Sequence, residues 1–422
     1  MNSALSQLGR RSEPPPISWL MELTLARPKM VSLAAGFTDN ESLPVTEARE
    51  LLDELLRSRK AGRPALQYGS TAGDPLLRRL TAEELRGLDG GGAQASAWSP
   101  DRVVITHGSQ QLLYMVTEAL CDAGDIVLVE DPTYFVFLGI AQSHALHCRG
   151  VTMEPDGIDL SSLERVLEEL RRNGELQRVK MLYLVSHYQN PTGYTTSLAK
   201  KAAALALLRR YERAAGHPIY LLEDAAYREL RFTGADTPSA LTVRGAQERV
   251  IYTSTFSKPF ASGIRVGYGV LPEPVRTVVT RIKGNHDFGT ANLLQQLVSR
   301  ALASGAYARH LPVMRRRYAR KARVMAAAMR AHFPAPVEWR EAEGGLYIWA
   351  RLPRRLKSGA KSRLFQKAMD CGVLYVPGEI CYASDPARPR PNHEMRLSFG
   401  GATESNIGTG IERLGRVLRR ML

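Results

Sequence analysis

The sequence contains little cysteine, has fewer acidic than basic residues and has no long hydrophobic run. Its four cysteines in 422 residues show no CxxC spacing, so we expect free thiols in a reducing cytoplasm rather than a disulfide framework. No apolar stretch reaches membrane-spanning length, and the N-terminal residues lack the apolar core of a signal peptide. These absences predict a soluble, cytoplasmic protein with no membrane partner.

The shortage of acidic residues leaves a strong positive balance. There are 57 Lys and Arg residues against 42 Asp and Glu residues, which gives a formal charge of +15. Such a charge would suit nucleic acid or another anionic partner. The basic residues are spread along the chain, however, and no helix-turn-helix or aromatic-interleaved basic motif is present, so we do not expect nucleic-acid binding.

The central half of the chain alternates short apolar segments with helical ones. This alternation predicts a parallel sheet covered on both faces by helices. A long helix from about Leu293 then leads to a second lobe, in which GGLYIWARLP, GVLYVP and MRLSFG read as strands of a smaller sheet. The predicted strands of the first sheet include residues 103–106, 125–130, 181–186, 219–224, 250–254 and 265–271.

Distinctive polar residues follow these strands. THGSQQ follows the first strand and opens a helix, where free N–H groups and the helix dipole favour a phosphate. SHYQNPTG, EDAAY and TFSK end later strands, and Arg265 comes seven positions after Lys258. Ligands of open α/β sheets bind at the carboxyl ends of the strands, so Lys258 is a candidate for chemistry rather than solubility.

Each of these segments also has a simple structural interpretation when it is taken alone. GSQ is an ordinary helix start, a carboxylate at a strand end caps helices, and Asn-Pro-Thr-Gly forms turns. His144, His147 and Cys148 suggest a metal site, but they lack a second ligand cluster, and we expect none. Only the ordered series points to a shared site.

That ordered series consists of QYGSTAG, GSQQ, DPTY, QNPTG, DAAY, TFSK, GIRVGY and MRLSF. It resembles the class I/II aminotransferase family of pyridoxal-phosphate (PLP) enzymes, fold type I, and is similar to its 2-aminoadipate or kynurenine aminotransferase-like branch. The resemblance extends from Ser32 to Leu414. It implies an α/β fold with a mostly parallel seven-stranded sheet between helices and a smaller α/β domain. The implied units are an arm over 1–45 that joins the small domain, a cofactor-binding domain over 46–292, and a linking helix with the small domain over 293–422.

The resemblance also implies roles around the cofactor. Lys258 would hold PLP as a Schiff base and then carry a proton at the substrate Cα, which one flexible amine can do. Asp224 would pair with the pyridine nitrogen so that the ring draws off charge. Tyr134 would stack on the ring, while Asn190 and Tyr227 would donate hydrogen bonds to its phenolate oxygen. The Asn190–Pro191 bond is expected to be cis.

The phosphate and the second subunit are assigned in the same way. Tyr68 would reach the phosphate of a neighbouring subunit, which implies a homodimer with shared active sites. The residues expected to surround the phosphate are Ser109, Gln110, Thr255, Ser257 and Arg265.

Substrate binding is expected from the N-terminal segment and the small domain. Arg396 would bind the substrate α-carboxylate, since its guanidinium matches a carboxylate bidentately. Gly36, on the N-terminal segment, would pass close to the substrate, and Asn190 is a further expected substrate-binding residue. Asp287, which lies before the long helix, is hypothesised to favour a cationic substrate side chain and to disfavour a dicarboxylic one.

The implied activity is PLP-dependent transfer of an amino group from an L-amino acid to a 2-oxo acid with ping-pong kinetics. The same residues would also serve a PLP-dependent oxidase, hydroxylase or lyase in specialised metabolism. A non-catalytic PLP sensor is a further alternative, although only about thirty residues precede SLAAGF, which we expect to be too few for a winged-helix domain. The residues do not decide the donor or the acceptor.

Overall fold

The computed structural model describes residues 4–91 and 95–422; residues 1–3 of the predicted arm lie outside this part. Its strands are β1 (Val31–Ser32), β2 (Val103–Thr106), β3 (Ile126–Asp131), β4 (His147–Glu154), β5 (Gly157–Ile158), β6 (Val179–Val185), β7 (Tyr220–Asp224), β8 (Val250–Thr255), β9 (Gly267–Val270), β10 (Glu338–Trp339), β11 (Tyr347–Arg351), β12 (Val373–Leu374), β13 (Val376–Pro377) and β14 (Glu394–Ser398). Its helices are α1 (Gln7–Arg11), α2 (Pro16–Leu25), α3 (Val45–Leu56), α4 (Arg59–Leu66), α5 (Pro75–Leu88), α6 (Gly108–Leu120), α7 (Phe135–Ser143), α8 (Leu160–Arg172), α9 (Leu198–Ala215), α10 (Val275–His286), α11 (Asn292–Ala303), α12 (Ala306–His332), α13 (Arg363–Asp370) and α14 (Glu404–Arg419).

The large sheet has the strand order β2-β9-β8-β7-β6-β3-β4-β5. Pairing is parallel from β8 through β7, β6 and β3 to β4, and β9 runs antiparallel to both of its neighbours. The mostly parallel sheet is therefore confirmed. Its seven longer strands match the predicted number, and β5 adds a two-residue hairpin partner to β4. Strands such as β2, β3 and β7 are buried along their whole length, because helices cover the sheet.

The smaller sheet is antiparallel, with the order β10-β11-β14-β13. Trp349 on β11 pairs with Arg396 on β14, so this arginine lies on a central strand. The N-terminal segment joins this part of the chain, since β1 pairs with β12 and the Ser398 N–H donates to the Leu33 carbonyl oxygen at 2.7 Å. The domain boundaries at residues 45 and 292 stay a prediction.

The predicted long helix from about Leu293 is divided. Helix α11 ends at Ala303, Gly305 is the N-cap residue of the next helix, and α12 continues from Ala306 for 27 residues. Gly305 has a left-handed backbone conformation and separates the two helices. The sequence pattern does not mark this boundary, because the apolar helical periodicity resumes directly after the glycine.

Two further expectations concern membranes and metals. Within residues 4–91 and 95–422, no helix has the length and apolar character needed to cross a membrane. In the same part of the chain, no group of three or more His, Cys, Asp or Glu side chains could hold a metal ion. His144, His147 and Cys148 therefore lie outside any such cluster.

Glu229 is a half-buried residue in contact with α12, and its carboxyl group predicts a pH dependence of stability that can be tested. Its Oε2 accepts a 2.6 Å hydrogen bond from the Tyr307 hydroxyl, whereas its Oε1 has no partner. Burial raises the pKa of Glu229 from 4.5 to about 7. An acid with a raised pKa stabilises the fold below its unfolded pKa, and this contribution is lost as the pH rises through about 7.

We therefore expect Glu229→Gln to stabilise the cofactor-free protein at pH 8 but not at pH 5. The raised pKa of Glu229 corresponds to a gain of about 3 kcal/mol in the free energy of unfolding of Glu229→Gln relative to wild type at pH 8. Urea unfolding at one protein concentration measures it, and Glu50→Gln, at an exposed position on α3, is the control. An equal effect of Glu229→Gln at both pH values would contradict a protonated Glu229.

Candidate active site

The turn between β2 and α6 presents the start of a helix to the carboxyl edge of the sheet. Ser109 and Gln110 are the second and third residues of α6, where backbone N–H groups have no partner within the helix. Gly108 has a φ of +72°, and a Cβ there would lie 2.8 Å from Nη2 of Arg265. Glycine at this position thus lets the guanidinium approach the helix start. The Arg265 guanidinium and the free N–H groups at the start of α6 together favour the binding of an anion such as a phosphate.

The loop after β8 completes this anion-binding arrangement. Nη1 of Arg265 donates to the Ser257 hydroxyl at 3.1 Å, so both lie side by side. The Thr255 hydroxyl donates to the Val266 carbonyl oxygen at 3.1 Å and accepts from the Ser257 N–H at 3.1 Å. Thr255 therefore shapes the turn, whereas Arg265 supplies the positive charge.

Asp224 ends β7 at the same edge of the sheet. The side chain is buried, and burial raises the pKa of Asp224 from 3.8 to about 6. The Tyr183 hydroxyl donates to its Oδ2 at 3.0 Å, and the Ala226 N–H donates to its Oδ1 at 3.1 Å. A cationic ring nitrogen beside this carboxylate would supply the countercharge that the buried anion lacks.

Lys258 reaches from the loop after β8 toward the N-terminal segment. Its Nζ donates to the Gly36 carbonyl oxygen at 2.9 Å and lies 6.0 Å from the centre of the Tyr227 ring. Burial, with a smaller contribution from Arg265 and Arg396, lowers the pKa of Lys258. A lower pKa increases the neutral fraction of the amine, which is the form that acts as a nucleophile or base.

Arg396 lies at the other end of the site and is 1% exposed. Its Nη1 donates to Oδ1 of Asn190 at 2.7 Å, and its Nη2 donates to the Ala34 carbonyl oxygen at 2.6 Å. Its Nε is buried without a hydrogen-bond partner. A buried guanidinium with an unused N–H is suited to bind a carboxylate. Asn190 in turn donates from Nδ2 to the Tyr227 hydroxyl at 3.4 Å, and the Asn190–Pro191 bond is cis, as expected.

One cavity of about 130 Å³ collects most of the predicted cofactor residues. Two larger clefts, of about 520 and 710 Å³, lie elsewhere, and neither is lined by a predicted site residue. Asn190, Gly36 and Arg396 do not line the cavity but contact residues of the site, as described above. Predicted residues that line it are Ser109, Gln110, Tyr134, Asp224, Tyr227, Thr255, Ser257, Lys258 and Arg265.

Two predicted residues lie apart from this cavity. Tyr68 is 82% exposed, and its ring contacts Phe288 edge-on at 5.3 Å. Asp287 accepts hydrogen bonds from Nζ of Lys283 at 2.6 Å and from Nε2 of Gln111 at 2.7 Å. Its charge is thus already paired, and its contacts tie α10 to the helix that carries the anion-binding turn. Selection of a cationic substrate by Asp287 stays a prediction.

Two tyrosines that contact the predicted site residues Asp224 and Tyr227 were not predicted from the sequence. Tyr183 on β6 bonds to Asp224, and the Tyr347 hydroxyl on β11 lies 3.2 Å from the Tyr227 hydroxyl. Both lie inside apolar strands, where an aromatic residue is most often part of the core. The feature that could have identified Tyr347 as a site residue is its place on the strand next to that of Arg396. That pairing depends on the register of the smaller sheet, which the sequence does not show.

The donor set fits PLP. An anion site, a lysine amine and a buried carboxylate lie around one cavity, and they match the phosphate, the aldehyde and the pyridine nitrogen of that cofactor. The close approach of Arg265 to Gly108 and the unpaired Nε of Arg396 are features that apolar packing alone does not explain.

Comparison with known proteins gives the same assignment. The family model described as Aminotransferase class I and II matches residues 28–414. The 2-aminoadipate transaminase of Thermus thermophilus is 34% identical over 409 residues, which cover 96% of this chain and 93% of that protein. Aromatic-amino-acid aminotransferase 1 of Thermococcus litoralis is 30% identical, with 92% of this chain and 88% of that protein covered.

A solved structure agrees over the whole length. The kynurenine aminotransferase of Pyrococcus horikoshii, in complex with PMP, superimposes with a TM-score of 0.89 at 29% identity, covering 99% of this chain and 98% of that one. PMP is the amino form of PLP, so the cofactor in that protein matches the donor set described above. The chain therefore belongs to the class I and II aminotransferase family and is a fold type I, PLP-dependent aminotransferase.

Proposed function

We propose that the residues around this cavity transfer the amino group of an L-amino acid to a 2-oxo acid, with Lys258 as the catalytic amine. The observation that carries the proposal is that this amine lines the same cavity as Asp224 and an anion-binding turn. When bound, PLP supplies an aldehyde that condenses with amines and a ring that withdraws electrons from the substrate Cα. The protein residues hold the reactants and move the proton.

The side chains around the cavity divide these tasks in the proposal. Lys258, with its lowered pKa, removes and returns the proton at the substrate Cα. Asp224 holds a positive charge on the ring nitrogen, and Tyr134 packs on the ring. Asn190 and Tyr227 donate hydrogen bonds to the phenolate oxygen. The proposed phosphate ligands are Ser109, Gln110, Thr255, Ser257 and Arg265.

Arg396 and Gly36 define the proposed substrate position. The unpaired Nε–H of Arg396 binds the α-carboxylate of donor and acceptor in turn. Gly36, whose carbonyl oxygen accepts a hydrogen bond from Lys258, passes close to the substrate. The names of the relatives indicate the first donors to test, which are 2-aminoadipate, aromatic amino acids and kynurenine. Basic amino acids belong in the same panel because of the hypothesis for Asp287.

The decisive experiment follows the absorption of bound cofactor under anaerobic conditions. One equivalent of the right donor should convert the cofactor to its amino form and release one equivalent of 2-oxo acid without an acceptor. Added 2-oxo acid should restore the original spectrum, as ping-pong kinetics require. In a parallel aerobic assay, dioxygen consumption in the absence of an acceptor would instead indicate an oxidase. No spectral change with any donor would indicate a non-catalytic protein.

We further propose a homodimer in which Tyr68 binds the phosphate in the partner's site. Tyr68, Leu66 and Phe288 are 82%, 68% and 57% exposed, and an exposed apolar group of this kind marks an interaction surface. Loss of one charge-assisted hydrogen bond in Tyr68→Phe should weaken PLP binding by roughly 10- to 100-fold.

Complementation tests this shared site. Tyr68→Phe and Lys258→Ala proteins, unfolded together and refolded as a mixture, should regain about a quarter of the wild-type sites if the subunits pair at random. The assay uses a PLP concentration that fills wild-type sites but not those of the Tyr68→Phe protein. The rescued sites combine Lys258 from one subunit with Tyr68 from the other. A mixture no more active than its components, despite dimers of mixed composition, would contradict shared sites. We also propose that the enzyme works in the cytoplasm, where its four free cysteines stay reduced.

A further inference from the structure

Tyr347 lies between the two ends of the active site. It is 2% exposed and begins β11, next to the strand that carries Arg396. Its hydroxyl lies 3.2 Å from the Tyr227 hydroxyl, and the two rings meet edge-on with centres 5.6 Å apart. The guanidinium of Arg396 lies over its ring at 4.3 Å. One side chain thus touches both the proposed carboxylate ligand and a proposed cofactor ligand.

The N-terminal segment is shaped around the same hydroxyl. A Cβ on Gly36 would lie 2.5 Å from Oη of Tyr347, so any other residue at 36 would displace this tyrosine. The Gly36 carbonyl oxygen accepts the hydrogen bond from Lys258. The position of Tyr347 is therefore constrained from three directions, by Arg396, Tyr227 and Gly36.

The direction of the hydrogen bond between the two phenols decides what Tyr227 can do. A phenol has one hydrogen to donate and can accept others. Asn190 already donates to the Tyr227 oxygen, although over a long 3.4 Å. If Tyr347 also donates to that oxygen, the single hydrogen of Tyr227 is free to point at the cofactor. Hydrogen bonds in such a chain strengthen one another.

We propose that Tyr347 is a positioning residue, whose hydroxyl donates to Tyr227 and thereby directs the Tyr227 hydrogen at the phenolate oxygen of bound PLP, while its ring holds Arg396. This inference rests on the proposed function and adds a residue to it. The hydroxyl sets the electronic state of the bound cofactor, and the ring sets the position of the substrate carboxylate. The two parts of one side chain therefore have separable effects.

The hydroxyl effect has a defined sign. A hydrogen-bond donor to the phenolate oxygen stabilises the negative charge of that oxygen. It thereby lowers the pKa of the proton that the phenolate oxygen shares with the Lys258 nitrogen joined to PLP. Tyr347→Phe weakens that donation, so the pKa of the shared proton, measured from the absorption of the holoenzyme, should rise. We expect a rise of about 0.5 unit, because one neutral hydrogen bond is lost and its effect passes through a second one. The other titratable groups near Tyr227 and Tyr347 are the same in wild type and in Tyr347→Phe. These groups are Lys258, Arg396, Tyr134 and Tyr318.

The test is a pH titration of the absorption spectrum of four holoenzymes: wild type, Tyr347→Phe, Tyr227→Phe and the double variant. Tyr227→Phe should raise the pKa by about 1 unit, and adding Tyr347→Phe to it should change nothing further. Tyr375→Phe is the matched control. It removes another buried hydroxyl of the C-terminal part, which donates to the Ser358 carbonyl oxygen at 3.0 Å, and should leave the pKa unchanged.

Steady-state kinetics separate the ring from the hydroxyl. Tyr347→Phe keeps the ring, so KM for the amino donor should stay within about twofold while kcat falls severalfold. Tyr347→Leu removes the ring as well, and loss of a desolvated cation–π contact should raise KM by about tenfold. The Phe variant alone keeps the test valid if the Leu variant does not fold.

The outcomes separate this inference from the proposed function. A wild-type protein without a lysine-dependent cofactor band would overturn the proposed function itself. A normal wild-type titration with an unchanged pKa in Tyr347→Phe would overturn only the role of Tyr347. A shift that persists in full in the Tyr227→Phe background would also overturn it, because the hydroxyl would then act without Tyr227.

Discussion

Replacing Lys258 with alanine should abolish transamination, lowering kcat by at least about 10⁴-fold, since one amine serves as both nucleophile and proton carrier. The half-buried amine donates a hydrogen bond to the Gly36 carbonyl oxygen at 2.9 Å. The anion-binding turn, Asp224 and Arg396 do not depend on it, so PLP should still bind. The spectrum of the bound cofactor should lose the band that depends on a lysine.

Lys258→Arg distinguishes an amine from a positive charge. Arginine keeps the charge but is not deprotonated in proteins, so it cannot act as a base or nucleophile, and this variant should be as inactive as the alanine one. Lys367→Ala, at an exposed position on α13, controls for the loss of a lysine elsewhere. Single-turnover assays with saturating PLP measure the effect, and more than a hundredth of the wild-type rate in Lys258→Ala would rule out the assigned role.

Arg396→Lys should raise KM for both the amino donor and the 2-oxo acid by about 10²-fold, because a lysine cannot form the two parallel hydrogen bonds of a guanidinium. Both substrates carry a carboxylate next to the reacting carbon, so one residue affects both half-reactions. Arg396 is 1% exposed, with Nε unpaired. Its replacement should leave the dissociation constant for PLP within about threefold, since Asn190 is the one proposed cofactor ligand to which Arg396 donates a hydrogen bond.

The neighbouring strand offers a matched control. Arg351→Lys changes an arginine on β11 whose side chain is 55% exposed and whose Nε donates to Glu394 at 3.0 Å. This variant should keep both KM values. If Arg396→Lys weakens PLP binding as strongly as it weakens substrate binding, the arginine acts on the cofactor site through Asn190 and is not the carboxylate ligand.

Local patterns were sufficient to predict the sheet, and the family resemblance predicted most residues of the cavity. The apolar strands β2, β3, β6, β7 and β8 lie within two residues of their predicted bounds, because strands buried on both faces carry an unbroken apolar signal. Each predicted cofactor residue except Tyr68 and Asn190 lines one cavity. Parallel strands bring their carboxyl ends to one edge, which is why residues far apart in sequence could be grouped.

Contacts across elements could not be predicted in the same way. The pairing of Asp287 with Lys283 and Gln111 depends on side-chain directions on two helices, and no local sequence pattern around Asp287 predicts those directions. The division of the helix near Leu293 at Gly305 depends on one residue between two continuing periodic patterns. In both cases tertiary packing decides between alternatives that the local sequence leaves equal.

The sequence by itself determined the α/β fold class and the ordered set of polar residues at the strand ends, because these follow from apolar periodicity and from motifs that are contiguous in the chain. The cofactor followed from the resemblance of those motifs to the class I/II aminotransferase family. Only the tertiary structure decided that Tyr347 joins Arg396 to Tyr227, that Tyr183 supports Asp224, and that Nε of Arg396 is left without a partner. These features depend on the register of two sheets and on the position of one domain against the other. Such geometry arises from long-range packing, which a single strand or loop does not encode.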